Sequence, residues 1–138
     1  MSPELIIGNN FSDDRGLLTY NNYIDLIYIK RIYFIENSSI DFKREWQGHR
    51  VEQRWFSVVN GSFVIKIIEI DDWDNPNPNL SKKSFILNSI NFNILFIPAG
   101  YVTSIQALSE KSKLMVMSDY AFGEIQDEYR FSSDCFYI

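Results

Sequence analysis

The chain has 138 residues, 46% of them hydrophobic and 22% charged, a balance that suits one globular domain over residues 1–138 and argues against a disordered tail. A net charge of -5 argues against a nucleic-acid surface, because phosphate-backbone binding relies on clustered cations. The single cysteine, Cys135, excludes a disulfide framework and a cysteine metal site, and no apolar run is long enough to span a membrane. Residues 1–8 have neither the basic region nor the apolar core of a secretory leader, so the expectation is a cytoplasmic protein that contacts no membrane.

In chain order, the first strong signal is the β-branched and aromatic run at 31–35, which predicts a strand. Residues 43–56 follow, with the only histidine, His49, among Arg44, Arg50 and Arg54 on what reads as a strand. An imidazole beside guanidinium groups suits proton transfer on a phosphorylated or nucleotide-linked small molecule. A histidine that caps a loop or sits satisfied in the core is the other reading of the same residue.

Runs at 54–59 and 63–70 flank Asn60-Gly61, which predicts a β-hairpin because both residues tolerate positive φ. In the second run Phe63, Ile65 and Ile67 share one face, and Val64, Lys66 and Ile68 share the other, as in a strand of a barrel or sandwich. The segment 71–79, rich in Asp, Asn and Pro, is a polar loop. Strands are predicted at 84–87, 93–97, 103–108 and 113–118, with a tight turn at Pro98-Ala99-Gly100 and one or two helical turns at 124–129. Many short strands and little helix indicate an all-β fold, closed or sandwiched.

Six motifs in register carry a family resemblance. They are Asp13-Asp14-Arg15-Gly16, Ile29-Lys30-Arg31-Ile32-Tyr33, Gln47-Gly48-His49-Arg50-Val51-Glu52-Gln53, Asn60-Gly61-Ser62-Phe63, Phe96-Ile97-Pro98-Ala99-Gly100-Tyr101, and Ser118-Asp119-Tyr120 with Glu128-Tyr129-Arg130-Phe131. Together they resemble the nucleotide-sugar cupins, that is, the dTDP-4-dehydrorhamnose 3,5-epimerases and the sugar 3,4-ketoisomerases (WxcM-like). The likeness covers about residues 11–134. It implies a double-stranded β-helix (the cupin jelly roll), a homodimer, and an isomerase or epimerase acting on a dTDP- or NDP-linked 4-keto-6-deoxy sugar in surface-polysaccharide synthesis.

The departures from the pattern are specific. Gln47 replaces the first histidine of the family's His-x-His pair, and Thr103 replaces the histidine after the Pro-x-Gly turn. A metal-binding cupin uses two or three histidines and a carboxylate, so no metal and no cofactor are expected. The resemblance makes His49 the catalytic base and Tyr120 or Tyr33 the acid. It assigns Arg15 to the phosphates and Arg54 to the substrate, adds Arg44 and Arg31 as further binding candidates, and leaves Gln47 to shape the pocket. Loss of the first histidine argues most strongly against a full 3,5-epimerase. It also supports an alternative, a cupin that binds the nucleotide sugar without turning it over.

Overall fold

The Ile-, Val-, Phe- and Tyr-rich runs become the strands of the computed structural model, which describes residues 1–137. One antiparallel sheet runs β1 (Glu4–Ile6), β9 (Ile94–Ile97), β6 (Arg54–Asn60), β11 (Lys113–Ser118), β4 (Arg31–Ile35). The facing sheet runs β12 (Tyr129–Arg130), β5 (Lys43–His49), β10 (Tyr101–Ala107), β7 (Ser62–Glu69), β8 (Lys82–Asn88), and is also antiparallel. A separate hairpin, β2 (Asn9–Asp13) with β3 (Gly16–Tyr20), carries Asp14 and Arg15 at its tip. Numbering follows chain order, and from β4 to β12 every step except the β7–β8 hairpin crosses between the sheets, as in the double-stranded β-helix of the cupins.

Inward-facing side chains of both sheets fill one part of the interior. Phe56, Phe63, Ile65, Leu95, Leu114 and Val116 are all 0% exposed and belong to one cluster. Burial of side chains of this size contributes ~2 kcal/mol each. The alternation expected for β7 holds, since Phe63, Ile65 and Ile67 enter this core and Ile68 packs on the outer face with Trp46 and Val102. The tail residues Phe131, Cys135 and Phe136, with Trp73 and Leu80, cover that outer face. Trp46, Trp55 and Phe56 are therefore packing residues.

Two expectations are corrected. Asn60-Gly61 is a tight turn, with Gly61 at φ 76°, but it does not close a hairpin. Strand β6 pairs with β9 and β11, and β7 pairs with β8 and β10, so each already has two neighbours and the turn crosses between sheets. Its polar groups bind the β10–β11 connection: Asn60 Nδ2 donates to Lys111 O at 2.9 Å, and Ser62 N donates to Ser112 Oγ at 3.1 Å. Residues 124–129 form no helix. Tyr129 and Arg130 pair with Gly48 and Gln47 as β12, Gly123 sits at φ 78°, and the Asp127 side chain is bound to β5's exit loop. Strand pairing and a distant anchor override the local helical pattern.

Candidate active site

Toward one end of the barrel the hydrocarbon filling gives way to a polar cavity of about 900 Å³. That volume is at the upper end for small-molecule sites. Its walls come from β4, β5, β6, β10 and the segment 122–129. A bulge in β5 shapes it: Thr103 pairs with Gln47 but Ile105 pairs with Arg44, so three steps on β5 oppose two on β10. Arg44, Gln47 and His49 consequently all line the cavity, although strict alternation would turn Arg44 away. Gly48 is needed between the last two, because a Cβ there would lie 2.5 Å from Val102 Cγ1 and 2.8 Å from Tyr101 O.

His49 is 7% exposed, with Nδ1 at 3.2 Å from Glu52 Oε2. Both ring nitrogens are buried and neither makes a hydrogen bond among the described residues, Nδ1 lying at ion-pair distance from Glu52. A carboxylate beside Nδ1 favours the tautomer that leaves Nε2 as the basic nitrogen. Burial pushes the Glu52 carboxyl up, but His49, the Ser118 hydroxyl donating to Oε1, and Arg54 (Nη2 at 3.8 Å) outweigh it and hold it at about 2. A free glutamate titrates near 4.5, so the folded protein binds this proton less readily than the unfolded chain. Glu52 therefore adds stability that is complete above the unfolded pKa and is lost as pH falls towards the folded one. Between neutral pH and about pH 3 the loss from this group is ~2 kcal/mol. Urea unfolding should show Glu52→Gln lacking that part of the acid-side slope; parallel stability profiles for both proteins would refute it.

The loop after His49 is tied down by one side chain. Asp127 Oδ1 accepts from Arg50 N at 3.0 Å, and Oδ2 accepts from Val51 N and Glu52 N, both at 2.8 Å. His49, Glu52 and Asp127 bring ligand-type atoms within 4.8 Å of one another. Asp127 engages both oxygens with backbone N–H groups, and Glu52 is committed to Ser118 and His49, so this donor set does not fit a metal ion.

The guanidinium groups of Arg31, Arg44 and Arg54 also line the cavity, Arg44 on the same strand as His49 and Arg54 beside Glu52. The Nε atoms of Arg44 and Arg54 are buried without a partner among the described residues. Arg31 lies 4.5 Å and Arg54 5.9 Å from the Tyr33 ring centroid, with Phe122 at the mouth 5.2 Å from Arg31. Burial raises the Tyr33 phenol, with Arg54 and Arg31 opposing, so it keeps its proton at neutral pH. Guanidinium donors beside a protonated phenol can bind anionic oxygens.

On the wall near His49, Gln47 Nε2 donates to Glu128 Oε1, which also accepts from Arg130 Nη2 at 2.8 Å. Arg130 first, and then Gln47, keep the Glu128 carboxyl below its usual range against a smaller effect of burial. Thr103 lines the cavity with its hydroxyl 3.4 Å from Gln47 O.

Of the residues singled out in the sequence, His49, Tyr33, Gln47, Arg31, Arg44 and Arg54 meet in this cavity. Tyr120 is half-buried outside its lining, hydrogen-bonded through its backbone to Ser118 Oγ. Arg15 lies on the β2–β3 hairpin with its side chain 83% exposed and paired to Asp13 at 2.7 Å. Sequence reasoning missed Glu52, Asp127 and Glu128. Glu52 and Glu128 stand in the family motifs with no role attached, and Asp127 and Glu128 both lie in the segment that reads as helical.

A family model described as WxcM-like, C-terminal matches residues 2–137. The chain belongs to that family. No curated protein matches the chain significantly. Among solved structures, this WxcM-like protein is similar to a mutant of the 3,4-ketoisomerase QdtA from Thermoanaerobacterium thermosaccharolyticum in complex with TDP-4-keto-6-deoxyglucose. The identity is 23%, covering 94% of this chain and 88% of that one, at a TM-score of 0.72. A 3,4-ketoisomerase from Helicobacter canadensis is 26% identical over 90% and 89% of the two chains, TM-score 0.67. The rmlC epimerase of Mycobacterium tuberculosis is 14% identical over 96% and 70%, TM-score 0.75. The cupin fold expected from the motifs is thus the fold of this WxcM-like chain.

Proposed function

We propose that the protein is a metal-independent isomerase acting on a TDP- or other NDP-linked 4-keto-6-deoxyhexose, in surface-polysaccharide synthesis. The observation that carries this reading is the placement of the only imidazole, beside Glu52, in a cavity that also holds three guanidinium groups, two of them (Arg44 and Arg54) with a buried unpaired Nε. The relatives support it, since two of them are named 3,4-ketoisomerases.

The chemistry follows from the ketone. A carbonyl at C4 acidifies the hydrogen at C3, and His49 Nε2 takes that proton as the C3–H electrons form the enolate. Tyr33 donates a hydrogen bond to the developing oxyanion, and the guanidinium groups supply positive charge nearby. For keto migration the C3 hydroxyl proton passes to the C4 oxygen as C3 becomes the carbonyl, and the proton held by His49 returns to C4. For epimerisation the proton returns to the opposite face of C3. Gln47 cannot act as a second base, which favours keto migration over double epimerisation.

Incubation with TDP-4-keto-6-deoxyglucose in deuterated water separates the readings by NMR. Keto migration places deuterium at C4 of a 3-keto product and is expected to survive exhaustive chelation. Deuterium at C3 with the ketone retained indicates epimerisation. Tight binding with an unchanged sugar would support the non-catalytic module that Gln47 favours.

A homodimer is part of the same reading. Phe11, Leu17 and Leu18 on the β2–β3 hairpin and Ile32 and Phe34 on edge strand β4 are exposed apolar side chains that a second copy would cover. Sedimentation velocity should give twice the protomer mass, and a monomer at micromolar concentration would contradict this.

A further inference from the structure

The cavity lining carries hydrogen-bond acceptors as well as donors. All three hydrogen bonds to the Glu128 carboxylate fall on Oε1: one from Gln47 Nε2, one from Arg130 Nε at 3.1 Å and one from Arg130 Nη2 at 2.8 Å. Oε2 takes part in none of these bonds. Gln47 is likewise half-engaged, with its amide N–H donating to Glu128 and its Oε1 making no hydrogen bond to the described residues. Both residues line the same cavity as the guanidinium groups. Charge complementarity draws anionic oxygens to the arginines, whereas the acceptor oxygens of Gln47 and of the half-exposed Glu128 side chain repel a phosphate and suit a donor.

A nucleotide sugar supplies both kinds of group: diphosphate oxygens on one part, and hydroxyl hydrogens on the hexose. The position of Gln47 in β5, two residues before His49, sets the acceptor pair on the wall that the reacting sugar faces if His49 is the base. A glutamine here, in place of a histidine, also holds Glu128 in position through its donor nitrogen, which a neutral imidazole supplies only in one tautomer.

We propose that Glu128, oriented by Gln47 and Arg130, is a specificity-determining residue that accepts a hydrogen bond from a hexose hydroxyl through Oε2. This rests on the nucleotide-sugar reading and adds to it which part of the ligand each set of side chains recognises. The guanidinium groups recognise the diphosphate, and the Gln47–Glu128 pair requires a hydroxylated sugar. Ligands that carry the nucleotide without a hexose engage only the guanidinium groups.

The test compares TDP with TDP-glucose by calorimetry, because TDP-glucose carries the hydroxyls but has no ketone to react. The wild-type protein is expected to bind TDP-glucose more tightly than TDP. Glu128→Gln and Glu128→Ala should reduce that preference about 10–100-fold, the range for a hydrogen bond to a charged group, and leave TDP affinity nearly unchanged. Glu128→Asp should restore part of the preference. A preference unchanged in both Glu128 variants, or an equal loss for both ligands, would overturn the role of Glu128 and leave the nucleotide-sugar reading standing. Failure of the wild-type protein to bind either ligand would instead overturn that reading, and this inference with it.

Discussion

His49→Ala should lower isomerisation of TDP-4-keto-6-deoxyglucose by about 10²–10⁴-fold, the usual contribution of a positioned general base. Affinity for TDP should change little, because the substitution leaves Arg31, Arg44 and Arg54 in the cavity lining. The split between turnover and binding is the informative part. A histidine that only packed in the wall would affect both together through loss of its buried contacts. The protein has no second histidine to take over, so residual turnover near the wild-type rate in His49→Ala would refute the assignment. Product analysis by NMR and calorimetry with TDP supply the two readouts.

Asp127→Ala should produce the largest loss of stability among substitutions at the site. Its carboxylate is the partner of three backbone N–H groups at residues 50–52, 75 or more positions away in sequence. An orphaned N–H that stays buried costs about 1–3 kcal/mol. Arg50 and Val51 are exposed and their amides can be rehydrated, whereas Glu52 is buried. The expected total is therefore roughly 3–5 kcal/mol, not the sum of three full penalties. The same change frees the loop that holds Glu52 against His49, so turnover should fall further than the folded fraction does. Asp127→Asn keeps one acceptor oxygen and should fall between the two proteins. Chemical denaturation reads the stability, and a loss below 1 kcal/mol for the alanine variant would show that the loop is held by other means.

These two residues show what could be read from the chain. His49 stood out because it is the sole imidazole and lies among arginines, both local facts. Arg31, Tyr33 and Gln47 were legible because they stand in the family motifs, and Arg44 and Arg54 because they flank the histidine in the segment 43–56. Asp127 and Glu128 were not, because their partners at 47 and 50–52 are remote in sequence and the polar segment around them carries a weak helical pattern. Strands β4 and β6 to β11 announced themselves by β-branched and aromatic runs, whereas Tyr129 of β12 lay in the segment that reads as helical. Strands β1 to β3 did not, since β1 is three residues long and β2 reads Asn-Asn-Phe-Ser-Asp, a composition of low strand propensity. The Asn60-Gly61 turn was visible locally, but the choice of sheet on either side of it depends on strands β8 to β11, which lie later in the chain.

The catalytic account depends on one nitrogen, His49 Nε2, meeting the carbon next to a sugar ketone, and isotope transfer from solvent reports that meeting most directly. Wild-type protein in deuterated water is predicted to introduce one deuterium at the sugar carbon that receives the returning proton, with almost none introduced by His49→Ala. Full occupancy of the site by TDP-4-keto-6-deoxyglucose with no deuterium above the protein-free control would contradict the account.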